Sequence, residues 1–465
     1  MENLKKPIME PITISLMVGL LFLSGTVFAQ THGHQEMAKD SISHENHQKM
    51  EMHDRAQMHH PESVPMSNAF SLNLPMNRNG SGTAWLPDNS PMFGYMLHSK
   101  KWMYMIHGSI FLTYNKQDIG DVGTRGDAKF YAPNWLMAMG QTQIGQRGLF
   151  RFSAMMSLDP LTVGGAGYPL MFQSGETWKG VPLVDHQHPH DLFSELSVAY
   201  TYMISDDADV FAYLGYPGEP AFGPVAFMHR PSSLYNPDAP ISHHWQDATH
   251  ILFGVATLGF RFKAFKLDGS LFTGTEPDED RYNFDTPRFN SLSARLSYNP
   301  SPAWALQVSQ AWINDAHASG PREDVNKSTA SAIHSLRWGS GSALNTTAVW
   351  GYNNTVRGHH PESHSVLLES ALTLNKTAIY GKYEWVEKSS GNLLLDESIY
   401  GDGELFAINA FTLGIQQNLG NALNTNISVG LQGSLYAVPD KLEPVYGNKP
   451  IGLQAYLRFY PKMMR

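Results

Sequence analysis

Between residue 101 and the C-terminus, short and long connections alternate between strand-like segments, a rhythm few folds permit. Candidate strands begin near 102, 129, 148, 191, 208, 249, 265, 289, 303, 329, 343, 365, 376, 404, 423 and 450, about 16 in all. Short links are GQRG (145–148), SDDA (205–208), KAFK (263–266), NPSP (299–302), GSGS (339–342), NK (375–376) and LGNA (419–422). Long ones fall around 116–128, 159–190, 217–248, 276–288, 314–328, 355–364, 390–403 and 438–449. This pattern predicts an all-β fold: a transmembrane antiparallel β-barrel with long extracellular loops, short periplasmic turns and both termini in the periplasm. Strands of ~9–11 residues suit a tilted bilayer crossing.

Within the strands, apolar and polar residues alternate. In NISVGLQGSLY, Ile427, Val429, Leu431 and Leu435 face one way, and Asn426, Ser428, Gln432 and Ser434 the other. In AIYGKYEWV, Ile379, Tyr383 and Trp385 oppose Tyr380, Lys382 and Glu384. SLSARLSY and IGLQAYLRFY repeat the pattern. A soluble sandwich would turn its polar face to bulk water, and a membrane barrel would turn it to the lumen. Strand-end aromatics (Trp102, Trp304, Trp338, Trp350, Trp385, Tyr436, Tyr460) fit an interfacial girdle, and no blade-length repeat supports a propeller. Glu195, Arg295, Glu369, Lys382, Glu384 and Arg458 then become lumen charges that set permeability. Met103, Met105 and His107 would also turn inward, where packing by adaptable Met explains them better than a soft ligand file.

The segment ahead of the barrel divides in three. Residues 1–29 read as a secretory signal peptide: Lys5 and Lys6, an apolar core, then Val27 and Ala29 before a cut at Gln30. Residues 30–66 carry seven His and five Met with almost no aliphatic residues, so they predict a disordered tail. Thioether with imidazole suits Cu(I) and Ag(I), and imidazole also takes Cu(II). The expected tail ligands are His32, His34, His44, His47, Met50, Met52, His53, Met58, His59 and His60. Residues 67–100 read as a Pro/Asn/Gly-rich lead-in linker, with the barrel over 101–465.

Cysteine is absent, so any metal must be held by His, Met or carboxylate. A net charge of −9 argues against a nucleic-acid partner. The densest ligand run is DHQHPHDLF. There His186, His188 and His190 fall at every second position, flanked by Asp185 and Asp191, at the end of the long 159–190 connection. An extended chain would set the three rings on one face, with the aspartates ligating or orienting them. The next long connection ends in SHHWQDATH, with His243, His244, Asp247 and His250, and with His229 upstream. A third, TEPDEDRYNFD, supplies Glu276, Asp278, Glu279, Asp280 and Asp285. His317, His359, His360 and His364 lie on the same side. Imidazole and carboxylate without sulfur suit Zn, Cu(II), Ni or Fe. A network of loop-packing hydrogen bonds without metal competes evenly with a site.

The order of signal peptide, Met/His-rich segment 30–66 and barrel resembles that of the outer-membrane copper-resistance B proteins, which implies binding or movement of copper at the outer membrane. VDHQHPHDLFSELS, ISHHWQDATHILFGVATLGF and GSLFTGTEPDEDRYNFD are similar to segments of poorly characterised bacterial outer-membrane proteins that accompany heavy-metal resistance systems. The second resemblance implies kinship and brings no mechanism with it. Residues and resemblances together lead to the expectation of an outer-membrane barrel, rather than an enzyme, that binds or passes copper, zinc or a similar transition metal and serves metal tolerance. The expected partners are metal ions, outer-membrane lipid and periplasmic metal-handling proteins. The alternatives are a metal-dependent hydrolase at the extracellular rim and a general porin. No G-x-S-x-G nucleophile motif supports the hydrolase.

Overall fold

A computed structural model describes residues 67–318, 322–339, 341–358 and 360–464. The expected signal peptide, the Met/His tail with all its proposed ligands, and His359 lie outside these residues. The described chain forms a closed antiparallel barrel of 16 main strands. They are β1 (Met103–Lys116), β2 (Asn134–Ile144), β3 (Gly148–Met156), β4 (Phe193–Ser205), β5 (Ala208–Gly215), β6 (Val255–Phe262), β7 (Phe265–Phe272) and β8 (Ser291–Ser301). The second half comprises β9 (Trp304–Ile313), β10 (Asp324–Trp338), β11 (Ser342–Arg357), β12 (Ser363–Leu374), β13 (Thr377–Ser389), β14 (Leu405–Ala422), β15 (Thr425–Ala437) and β16 (Ile451–Pro461). Each strand pairs with its sequence neighbour, and β16 closes on β1.

The alternation resolves as a lipid-type exterior and a polar lumen. Leu258, Leu413 and Leu431 are 72%, 69% and 60% exposed on the outside. On the inward face of the barrel strands, Arg261, Lys266, Asp268, Arg295, Glu369, Lys382, Glu384 and Arg458 are buried. A soluble sandwich would show the reverse, because water would take the charges.

Strand starts differ from the sequence reading where loops dip inward. The strand expected near 129 is split: Ala128–Tyr131 pairs briefly with β1, Pro133 follows, and β2 begins at Asn134. Pro has no N–H to continue a ladder. The start expected near 249 moves to Val255, because Ala248–His250 forms a 3-10 turn of the preceding loop. The 159–190 connection contains a helical turn, Asp159–Thr162, and a β-hairpin, Tyr168–Trp178 with Val181–Gln187.

Two segments cross the lumen. The stretch read as a lead-in linker is ordered and largely buried. Phe70 packs on Phe211 at 4.9 Å between ring centroids. Thr83 Oγ1 donates to Asp268 at 2.6 Å and accepts from Arg295 at 2.7 Å, and Lys266 donates to the Thr83 carbonyl. The connection 216–254 docks on the opposite wall. Arg230 Nε meets Glu369 at 2.6 Å, Ser232 bonds Thr347 at 2.6 Å, and Asp238 accepts from Gln432 and Gln454. Lys382 donates to the Ala239 carbonyl at 3.1 Å, and Ser242 donates to Glu384. Several charges expected to line an aqueous lumen therefore anchor inserted chain.

Candidate metal centre

Three histidines, His188, His243 and His244, place ligand atoms within 4.8 Å of one another. Two more complete a ring. Successive imidazole centroids are 6.1 Å apart for His188–His190, 5.7 Å for His190–His250, 5.1 Å for His250–His243, 5.2 Å for His243–His244 and 5.7 Å for His244–His188. Phe227 packs on His190, His243 and His250.

Every ring in this circle is held by Nδ1. His188 Nδ1 is 3.1 Å from Glu176 Oε1, His190 Nδ1 is 2.9 Å from Asp159 Oδ2, and His243 Nδ1 is 2.6 Å from Asp247 Oδ1. His244 Nδ1 is 3.4 Å from Glu276 Oε1, and His250 Nδ1 is 2.7 Å from the Asp247 carbonyl. In the neutral ring an oxygen acceptor at Nδ1 draws the proton there, and Nε2 then carries the lone pair. Nε2 of His188, His190, His244 and His250 is buried and meets no hydrogen-bond partner. An unsatisfied buried polar atom costs roughly 1–3 kcal/mol. Four such nitrogens around one ring form a donor set suited to a transition-metal ion.

Burial lowers the pKa of three of the donors, His188, His243 and His250. Burial, then His243 and His190, push His250 down to about 3. Burial, then Arg281 and the neighbouring imidazoles, push His188 well down. Burial also raises Glu176 to about 7, with Arg281 opposing it and Glu276 adding to it. For Asp247 burial acts upward, but His243 and Arg230 outweigh it and hold the carboxyl well below the usual range.

The fold sorts the sequence candidates. His188, His190, His243, His244 and His250 converge. His186 does not. In the strand Val181–Gln187 it faces opposite to buried Asp185 and Gln187, and the chain leaves the strand before His188. The three rings of DHQHPHD therefore share no face. His186 bonds the Val184 carbonyl at 3.2 Å and approaches Asp127 at 3.4 Å. Asp185 is a brace, accepting from the Phe172 N–H at 2.7 Å, Arg125 at 3.1 Å and the Tyr446 hydroxyl at 3.2 Å. Asp191 pairs with Arg281 at 3.4 Å, and Asp247 orients His243. From the third loop only Glu276 reaches the ring. Asp278, Asp280 and Asp285 bond within their own loop, and Glu279 accepts from Gly180.

His229 lies apart, against Trp135 at 4.8 Å and His107 at 5.8 Å. Met103 and Met105 do turn inward. They pack with buried Met76 and with Met92, Met96, Met139 and Met464. Sequence reasoning missed Asp159, Glu176, Phe227, Arg230 and Arg281. Arg281 bonds both Glu176 and Asp191, and none of the five belongs to a His-rich run.

No protein-family model and no curated protein match this chain. Among solved structures, it is similar to an anion-selective porin from Comamonas acidovorans, with 11% identity, TM-score 0.47, and coverage of 77% of this chain and 100% of that one. It is also similar to Salmonella typhi OmpF in complex with daunomycin, with 9% identity, TM-score 0.46, and coverage of 79% and 100%. A loop-deletion mutant of Vibrio cholerae OmpT gives 8% identity, TM-score 0.44, and coverage of 77% and 99%. Identities this low carry no function across.

Proposed function

We propose that this chain is an outer-membrane barrel that binds a divalent transition-metal ion in its histidine ring. The observation that carries the reading is the set of four buried Nε2 atoms without partners, each on a ring whose Nδ1 is already engaged. The all-nitrogen donor set without sulfur favours Cu(II) and Zn(II), with Cu(II) the tighter of the two by the Irving–Williams order. The apolar exterior supports a place in the bilayer, with the long loops outside and the 30–66 segment in the periplasm. There the segment would collect copper and pass it between the barrel and periplasmic metal-handling proteins, in the service of metal tolerance. The two segments that cross the lumen favour retention or controlled passage of an ion over free diffusion of larger solutes.

The test uses the barrel with residues 30–66 deleted, so that the tail contributes nothing. After loading with Cu(II) or Zn(II) and desalting, it should retain ion, and the H188A/H243A/H244A variant should lose it. Heat-modifiable gel migration verifies that the variant barrel is closed. A closed wild-type barrel that retains no ion would sink the proposal. Growth in copper of cells carrying each variant then separates a role in tolerance from binding alone.

A further inference from the structure

A second cluster of donors lies further out. His317 Nε2 is 2.9 Å from Glu323 Oε2, and His360 Nε2 is 3.9 Å from the same oxygen. The donor atoms of all three residues lie within 4.8 Å of one another. His317 and His360 are 42% and 43% exposed, against 7% for His188 in the ring. A cavity of about 410 Å³ opens beside them, and its wall includes Glu276, Glu176 and Gly175.

Glu276 joins the two clusters. Its Oε1 faces His244 Nδ1 at 3.4 Å, and its Oε2 faces His317 Nδ1 at 3.9 Å. With Nδ1 directed at Glu276, His317 presents Nε2 toward Glu323, where an ion would also meet His360. Glu176, on the same wall, orients His188. The cavity thus runs from an exposed imidazole–carboxylate cluster to the carboxylates that hold two of the inner rings.

We propose that His317, Glu323 and His360 form an outer divalent-metal site that captures the ion, and that the ion reaches the histidine ring past Glu276. The capture site stands on its own geometry, whereas the transfer rests on the reading of the ring given above. The donors are two imidazoles and one carboxylate, which suit Zn(II) or Cu(II). Their exposure makes the site faster to fill and weaker than the buried ring.

The experiment titrates Zn(II) and Cu(II) into the barrel lacking 30–66. The wild type should bind two equivalents of unequal affinity. H188A/H243A/H244A should keep only the weaker one, and adding H317A/H360A should remove it. In stopped flow, H317A/H360A should fill the ring about tenfold more slowly, with the tight equivalent intact, because capture at the outer site raises the ion concentration beside the route inward. E276Q should slow filling while both equivalents remain. If the inner variant binds no metal, the outer site is overturned and the ring is untouched. If H317A/H360A fills the ring at the wild-type rate, the entry route is overturned. If the wild type holds one weak equivalent that H317A/H360A removes, the ring reading fails and the capture site stands.

Discussion

Asp247 serves two buried partners with its two oxygens: Oδ1 accepts from His243 Nδ1 at 2.6 Å, and Oδ2 accepts from Arg230 Nη1 at 2.7 Å. Arg230 in turn reaches Glu369 on β12 at 2.6 Å. A chain of four side chains therefore ties one ring of the metal centre to the barrel wall.

Replacing Asp247 should reveal both duties. Asp247→Asn keeps the shape but removes the charge that orients His243, and ion affinity should fall about 10–100-fold. Asp247→Ala also strips Arg230 of one of its two carboxylates, which costs roughly 3–5 kcal/mol when a buried pair is broken. Chelator competition reads the first effect and thermal unfolding the second.

Gly175 is a sharper probe. It sits at φ 123°, and a Cβ there would lie 2.2 Å from His244 Nε2. Gly180, in the same hairpin, also has positive φ, but its Cβ would meet nothing within 4 Å. Both Ala substitutions put a Cβ on a backbone of positive φ, at a cost of roughly 1–3 kcal/mol each. Only Gly175→Ala should abolish ion retention, measured as metal content after desalting.

The pH dependence should separate the ring from the Met/His tail. His250 is pushed down to about 3, and His188 and His243 are also lowered, so protons compete weakly for these nitrogens. A lowered imidazole pKa means the ring stays neutral as pH falls through the free value near 6.5. The barrel without 30–66 should therefore hold its ion down to about pH 5.5. A peptide of residues 30–66, with ordinary imidazoles, should release Cu(II) over that range. Parallel titrations at several pH values test this, and equal acid sensitivity of the two would contradict it.

Removing the segment 67–91 should open the lumen. It breaks the bonds of Thr83 to Asp268, Arg295 and Lys266, and the packing of Phe70 on Phe211. Single-channel conductance in planar bilayers should rise severalfold, and Thr83→Val should produce a smaller increase. Unchanged conductance in the deletion would mean that the loop 216–254 alone controls passage.

The strand pattern was legible because lipid and lumen impose opposite demands on alternate residues. Leu413 and Thr412 differ by one position and sit on opposite faces. Convergence of the His-rich loops was legible too, since closure forces loops on one rim together. What stayed hidden was set by tertiary contact. His186 and His188 look equivalent in sequence, yet a strand end between them sends them to different partners. Glu176 sits in an unremarkable apolar-polar stretch and becomes a brace only when the hairpin folds over His188. The segment 67–100 read as linker because its turns and prolines mask a run of side chains that bond to the wall.

That segment also shapes the seam of the barrel. β16 pairs with β1 over only seven residue pairs, whereas β10 and β11 share fifteen. Below those seven, β1 pairs instead with Tyr95–His98, and Phe93 bridges to Met463. The first and last strands are thus spliced by residues that lie upstream of both, directly downstream of the lumen-crossing stretch. In mechanical terms, a pull on the chain ahead of residue 95 loads the four-pair ladder of Tyr95–His98 beside the shortest junction between main strands, so a sideways parting of this barrel would begin there.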